Sequence, residues 1–95
     1  MVWETHTDKQ NNVFDRGMLF GNQVVEIRLG WRQEEGCSTF KRAVVATVYG
    51  SKMSPICRKF RLDDEKEDID ALDWDEWDRA RIWAEKTVRE CASFL

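Results

Sequence analysis

Carboxylates are the most abundant groups in this chain that could bind a metal ion or transfer a proton, and they are concentrated in one stretch. Between Asp63 and Asp78 there are ten acidic residues and one base, Lys66. Carboxylate oxygens suit hard cations, but an EF-hand loop needs a central glycine, and no glycine follows Gly50. We therefore predict no metal site and no cofactor. Six of these acids form what we call the acidic run: Asp63, Asp64, Glu65, Glu67, Asp68 and Asp70.

Other catalytic groups are sparse. His6 is the only histidine, and it lies in a polar N-terminal segment, so a catalytic triad would depend on weakly structured chain. Cys37, Cys57 and Cys91 have none of the close spacings of zinc ligands. The five glycines are dispersed and form no phosphate-binding loop. The sequence therefore predicts a protein that is not an enzyme.

Charge is distributed unevenly along the chain. Residues 63–78 carry a net charge of −9, whereas the remaining residues have 14 bases and 8 acids, and the whole chain has −3. This uneven charge indicates binding to charged macromolecules, and it does not indicate a catalytic activity. No segment has the apolar length of a membrane span, and the N-terminus lacks the pattern of a signal peptide. We therefore expect a soluble cytoplasmic protein.

Three segments have the alternation of β-strands. Gln23 to Arg32 is the clearest, because apolar residues alternate with charged ones. Thr39–Tyr49 and Ile56–Leu62 follow after short, turn-forming connections. Since short connections favour adjacent strands, the sequence predicts a three-stranded antiparallel β-meander over residues 23–62. The positions predicted to face the core are Val25, Ile27, Leu29, Trp31, Phe40, Val44, Ala46, Val48, Ile56, Phe60 and Leu62.

The last 23 residues are predicted to form one long α-helix. Asp73 and Glu76 have the spacing of a capping box, which starts a helix. An apolar stripe at helical spacing follows, so the helix is expected to lie across the sheet. The stripe comprises Trp77, Ala80, Ala84, Val88, Cys91 and Leu95. Residues 63–72 are then an acidic connection between the meander and the helix.

Residues 1–16 admit two interpretations. Val2–Thr7 alternates and contains β-branched residues, which favours an extra N-terminal edge strand. The polar, turn-prone sequence Asp8–Asn12 is equally compatible with a flexible arm. Either way the fold class is α+β: a single domain over residues 1–95, with a β-meander packed on one C-terminal helix.

The acidic run has three interpretations: a solubilising surface, an intramolecular screen over the basic strands, or a surface that imitates a nucleic acid. The third predicts a non-enzymatic inhibitor that binds a basic, nucleic-acid-handling protein. Acidic residues would speed the encounter, and exposed apolar residues would anchor the complex. Besides the acidic run, this hypothesis assigns partner contacts to Trp74, Asp75, Asp78 and Ile82, with Trp77 or Trp83 as further candidate anchors.

Two other functions remain open. The basic residues of segment 28–61, interleaved with aromatic residues, would suit a small nucleic-acid-binding regulatory module. The second of these functions is that of a self-associating structural subunit, which would form a homodimer through the helix. In its general character (short, acidic and tryptophan-rich) the chain is similar to small phage-encoded anti-CRISPR and anti-restriction inhibitors. That resemblance implies inhibition by binding and is carried by composition, without a shared motif.

Overall fold

A computed structural model describes residues 1–33, 40–61 and 74–94 of the chain. It has five β-strands followed by one α-helix. The strands are β1 (Val2–Thr7), β2 (Val13–Leu19), β3 (Asn22–Gln33), β4 (Phe40–Gly50) and β5 (Met53–Arg61). The helix α1 spans Trp74–Glu90, and a 3₁₀ turn follows at Ala92–Phe94. The predicted α+β class is confirmed.

The five strands form one antiparallel sheet in the order of the chain, from β1 to β5. Each strand pairs with its sequence neighbour, as short connections favour. The two edges are therefore β1 and β5. Pro55 lies in the edge strand β5, where a residue without a backbone N–H is tolerated.

The sequence predicted three strands, with a fourth at Val2–Thr7 as an open alternative, whereas the sheet has five. Residues 1–16, interpreted as an edge strand or a flexible arm, contain β1 and the first part of β2. The loop between them is stabilised by Asp8, whose Oδ1 accepts hydrogen bonds from the backbone N–H groups of Gln10 and Asn12. The signal for β2 was weak because Asp15, Arg16 and Gly17 interrupt any apolar alternation there.

The three predicted strands are confirmed, with ends that differ by a few residues. Val25, Ile27, Val44, Ala46 and Val48 are fully or almost fully buried, as the alternation indicated. Trp31 and Ile56 differ, because both are exposed to a considerable degree. Ile56 lies in the edge strand β5, and Trp31 lies two residues before the end of β3.

Helix α1 packs on β3, β4 and β5 through the predicted apolar stripe. Trp77, Ala80, Ala84 and Val88 are buried against the sheet. Because three of these stripe positions are small or β-branched, the helix axis lies close to the strands. The helix ends at Glu90, five residues before the predicted end. The acidic connection 63–72 and the predicted cap Asp73 lie outside the described residues.

Candidate protein-binding surface

The first turns of α1 are held to the sheet by a buried polar cluster around Asp15, a residue of β2. Asp15 is 1% exposed. Its Oδ2 accepts a hydrogen bond of 2.6 Å from Trp77 Nε1 and one of 2.8 Å from Arg81 Nε, while Arg81 Nη2 also donates to it. Its Oδ1 accepts a hydrogen bond of 2.8 Å from Thr5 Oγ1. Both carboxylate oxygens are thus satisfied, by donors from two separate elements, β1 and α1.

The ionised form of Asp15 is the stable one. Burial by itself raises the pKa of this carboxyl, because a charged group loses hydration. The hydrogen bonds donated by Trp77, Arg81 and Thr5, together with the charge of Arg81, outweigh burial. The pKa therefore lies below its ordinary value of 3.8.

The cluster extends to the first strand. Trp3 Nε1 donates a hydrogen bond of 2.7 Å to Oε1 of Glu85, one turn beyond Arg81 on the helix. The Arg81 guanidinium also lies over the Trp3 ring, 5.6 Å from its centroid. The edge strand β1 is therefore tied to the helix as well as to β2.

This cluster is suited to a structural role and not to catalysis. A general acid or base needs a proton it can exchange and a reachable substrate atom. Asp15 has a lowered pKa, saturated acceptors and almost no solvent access, so it meets neither condition. Asp15 is not among the candidate residues predicted from the sequence. The available signal was the pair Trp77 and Arg81, two side chains with polar donors spaced by one helical turn.

The residues predicted to bind a partner are only partly within the described chain. Asp78 and Ile82 lie on the outward side of α1, and the Ile82 side chain is 67% exposed. Since they are four residues apart, they occupy one strip of the helix surface. Trp74 and Asp75 belong to the first turn of the helix. The acidic run, Asp63, Asp64, Glu65, Glu67, Asp68 and Asp70, lies outside the described residues.

The outward side of α1 is not uniformly acidic. Beyond Asp78, its exposed charges are Arg79, Lys86, Arg89 and Glu90. The exposed acids of the described helix are thus Asp78 in its first half and Glu90 at its end, with the three bases between them in sequence. Trp77 is 2% exposed and is excluded as a contact residue, and Trp83 is partly buried, edge-on to Phe60.

The opposite face of the sheet carries a cation–aromatic cluster. The Phe14 ring stacks on His6 with centroids 5.6 Å apart. The guanidinium groups of Arg28 and Arg16 lie 4.8 Å and 5.9 Å from the Phe14 centroid. Arg28 also forms an ion pair with Glu26 on this face. Within the described chain, no helix packs on this side of the sheet.

The described ranges contain neither a group of metal ligands nor a membrane-spanning helix. Across these residues, no three His, Cys, Asp or Glu side chains are grouped in a way that would hold a metal ion. None of the helical segments found there has the length and hydropathy needed to cross a membrane.

Comparison with known proteins gives no relative: no family model, no curated protein and no solved structure matches the chain. Function must therefore be argued from the surfaces themselves.

Proposed function

We propose that this chain is a non-enzymatic binding protein that inhibits a basic, nucleic-acid-handling protein. The contact surface comprises the acidic run and the outward side of the first half of α1. The observation that carries the proposal is the anchoring of this half-helix by Asp15, Trp77 and Arg81, with Ile82 and Asp78 left on its exposed side. A helix fixed in this way presents its outward side chains with little loss of conformational entropy on binding.

The two exposed residues have different roles in the proposed complex. Ile82 is an apolar side chain that the fold does not use, so a partner pocket gains the free energy of burying it. Asp78 continues the negative charge of residues 63–76 onto the helix surface. Charges at the rim of an interface mainly speed association and select partners of opposite charge.

We predict that exchanging either residue weakens the complex about tenfold or more, through different rate constants. The partner is first isolated from host extract by affinity capture, with and without excess oligonucleotide, because a nucleic-acid mimic is displaced by nucleic acid. Binding of purified partner is then measured by surface plasmon resonance. Asp78→Lys should slow association, whereas Ile82→Glu should speed dissociation.

The matched control is Glu90→Lys, which makes the same charge change on the same helix. Its position is about 18 Å further along the axis, since each residue rises 1.5 Å. Its affinity should stay near the wild-type value. The proposal is refuted if Asp78→Lys and Glu90→Lys behave alike, or if oligonucleotide fails to displace the captured protein.

A second candidate function, binding of single-stranded nucleic acid, is favoured by the cluster around Phe14. Aromatic rings next to arginines stack on bases and neutralise phosphates. Here Phe14 has two such arginines within 6 Å, on the side of the sheet away from α1. The ion pair of Arg28 with Glu26 opposes this function, because it partly neutralises the cation.

If this second function holds, Arg28→Gln should weaken oligonucleotide binding and lower the dependence of log Kd on log salt by about one unit. Fluorescence anisotropy with a labelled single strand, over a series of salt concentrations, measures both quantities. Arg79→Gln, on the exposed side of α1, is the control. Equal effects of the two substitutions, or an affinity independent of salt, would argue against nucleic-acid recognition by this face.

A further inference from the structure

The hairpin between β2 and β3 has an unusual residue at its tip. Its two-residue loop is Phe20–Gly21, and both residues have positive φ, 52° and 80°. Such a loop normally contains Asn-Gly or Asp-Gly, because a bulky side chain is disfavoured at positive φ. Asn11, the other non-glycine residue with positive φ in the described chain, follows that preference, whereas Phe20 does not.

Phe20 contributes nothing to the core that would explain its position. Its side chain is 95% exposed, the highest value among the large apolar residues described. An aromatic ring in this position therefore combines backbone strain with unfavourable exposure to water. Strain of this kind persists where it serves a function, and the function open to an exposed ring is contact with another molecule.

A groove lies directly beside this tip. Its volume is about 560 Å³, within the range of pockets that enclose a drug-sized ligand, so it exceeds the size of a phenyl ring. Burial, together with the charge of Glu26, raises the pKa of Tyr49 in its wall, so the phenol is neutral at physiological pH. The groove is lined by Leu19, Phe20, Asn22, Gln23, Val24, Tyr49, Gly50, Ser51 and Ala92.

The groove and the hairpin beside it are poor in charged side chains. None of the groove-lining residues is ionised at neutral pH, and residues 17–25 contain no charged side chain, although 35% of the chain is charged. Val2, which pairs with Met18 beside the hairpin, adds another exposed apolar side chain. Loss of charge with enrichment of aromatic and aliphatic residues is the compositional mark of the centre of an interface.

We propose that this surface binds a second copy of the chain, with Phe20 of each copy inserted into the groove of the other. The projecting ring and the groove are adjacent on one patch, so a two-fold axis beside the hairpin brings each ring to the opposite groove. Such a self-complementary patch defines an isologous interface. Because the proposed contact consists of one hairpin tip and one groove from each copy, we expect a weak, concentration-dependent dimer.

The first test is sedimentation of the wild-type chain and of Phe20→Asn from micromolar to submillimolar concentration. We expect the wild type to dimerise and Phe20→Asn to dimerise at least about tenfold more weakly, because the inserted ring is lost. Asparagine suits the positive φ of the loop. The denaturation midpoint of this variant at the lowest concentration should therefore equal or exceed that of the wild type, which excludes unfolding as the cause.

Reciprocal insertion is tested by mixing two defective variants. Ala92→Trp fills the groove and keeps Phe20, whereas Phe20→Asn loses the ring and keeps the other eight residues that line the groove. Each alone should be monomeric, but together they retain one ring-in-groove contact, so labelled Ala92→Trp should bind Phe20→Asn more tightly than it binds itself. Ile82→Asn, which removes an exposed apolar residue elsewhere, should dimerise as the wild type does.

Three results would each overturn the inference. These are a wild type that stays monomeric at submillimolar concentration, a Phe20→Asn variant that dimerises normally, and a mixture of the two defective variants without a heterodimer. Loss of the dimer in Ile82→Asn alone would instead assign self-association to the helix.

Discussion

Replacing Asp15 by alanine is expected to lower the free energy of unfolding by about 3–5 kcal/mol, because it removes one partner of a buried ion pair. The Trp77 indole N–H loses its acceptor, and the Arg81 guanidinium loses its counter-charge. A domain of this length has a total stability of roughly 5–14 kcal/mol, so the loss is a large fraction of it. Urea unfolding followed by far-UV circular dichroism measures the change.

Asp15→Asn removes the charge of the side chain and keeps its shape. The amide oxygen can still accept from Trp77 and Arg81, and the amide nitrogen can donate to the Thr5 hydroxyl. We expect a smaller loss, about 1.5–3 kcal/mol, the usual contribution of hydrogen bonds to a charged group. If Asp15→Asn and Asp15→Ala are both near neutral, the cluster does not anchor the helix.

The two variants also differ from the wild type in pH dependence. The folded pKa of Asp15 lies below the value of 3.8 that the unfolded chain is expected to have. The ionised carboxylate therefore stabilises the fold fully above that value, and this contribution is lost as the pH falls toward the folded pKa. As the pH is lowered below 3.8, the wild type should lose this increment progressively, whereas Asp15→Asn should lack the step.

Substitution of Trp77 by alanine has the second large expected effect, a loss of about 3–5 kcal/mol. Trp77 is the largest of the fully buried side chains in the described structure. Its removal leaves a cavity between α1 and the sheet and removes a hydrogen bond to Asp15. Trp77→Phe keeps most of the ring and should lose about 1–3 kcal/mol, chiefly for the lost hydrogen bond to a charged carboxylate that keeps its donors Arg81 and Thr5.

Trp31 provides the matched control for Trp77. It is half exposed, and its main described contact is the Arg42 guanidinium, 4.3 Å from the ring centroid. Trp31→Ala should therefore cost about 1 kcal/mol or less. Denaturant midpoints of the three variants give the comparison. If Trp77→Ala loses no more free energy of unfolding than Trp31→Ala, the assigned packing of Trp77 is wrong.

In a double-mutant cycle, the effects of Trp77→Phe and Asp15→Asn on the free energy of unfolding should be non-additive, because the two residues share a hydrogen bond.

The sequence by itself determined the regular parts of this protein. Residue parity in β3 and β4 identified Val25, Ile27 and Val44 as core positions, and all three are buried. The stripe beginning at Trp77 defined the buried side of α1. These patterns are local, since the period of a strand or helix shows which side chains share a face. Exposure of Ile82 on the outward side also followed from helical spacing.

Only the tertiary structure decided the role of Asp15 and the existence of β2. The inward positions of β1 and β2 include Thr5, Asp15 and Gly17, which have no apolar pattern to recognise. A buried carboxylate is stable there only because Trp77 and Arg81, more than sixty residues away, donate hydrogen bonds to it. Sequence periodicity predicts which face of an element a residue lies on. It cannot predict that a distant segment will place a hydrogen-bond donor on that face.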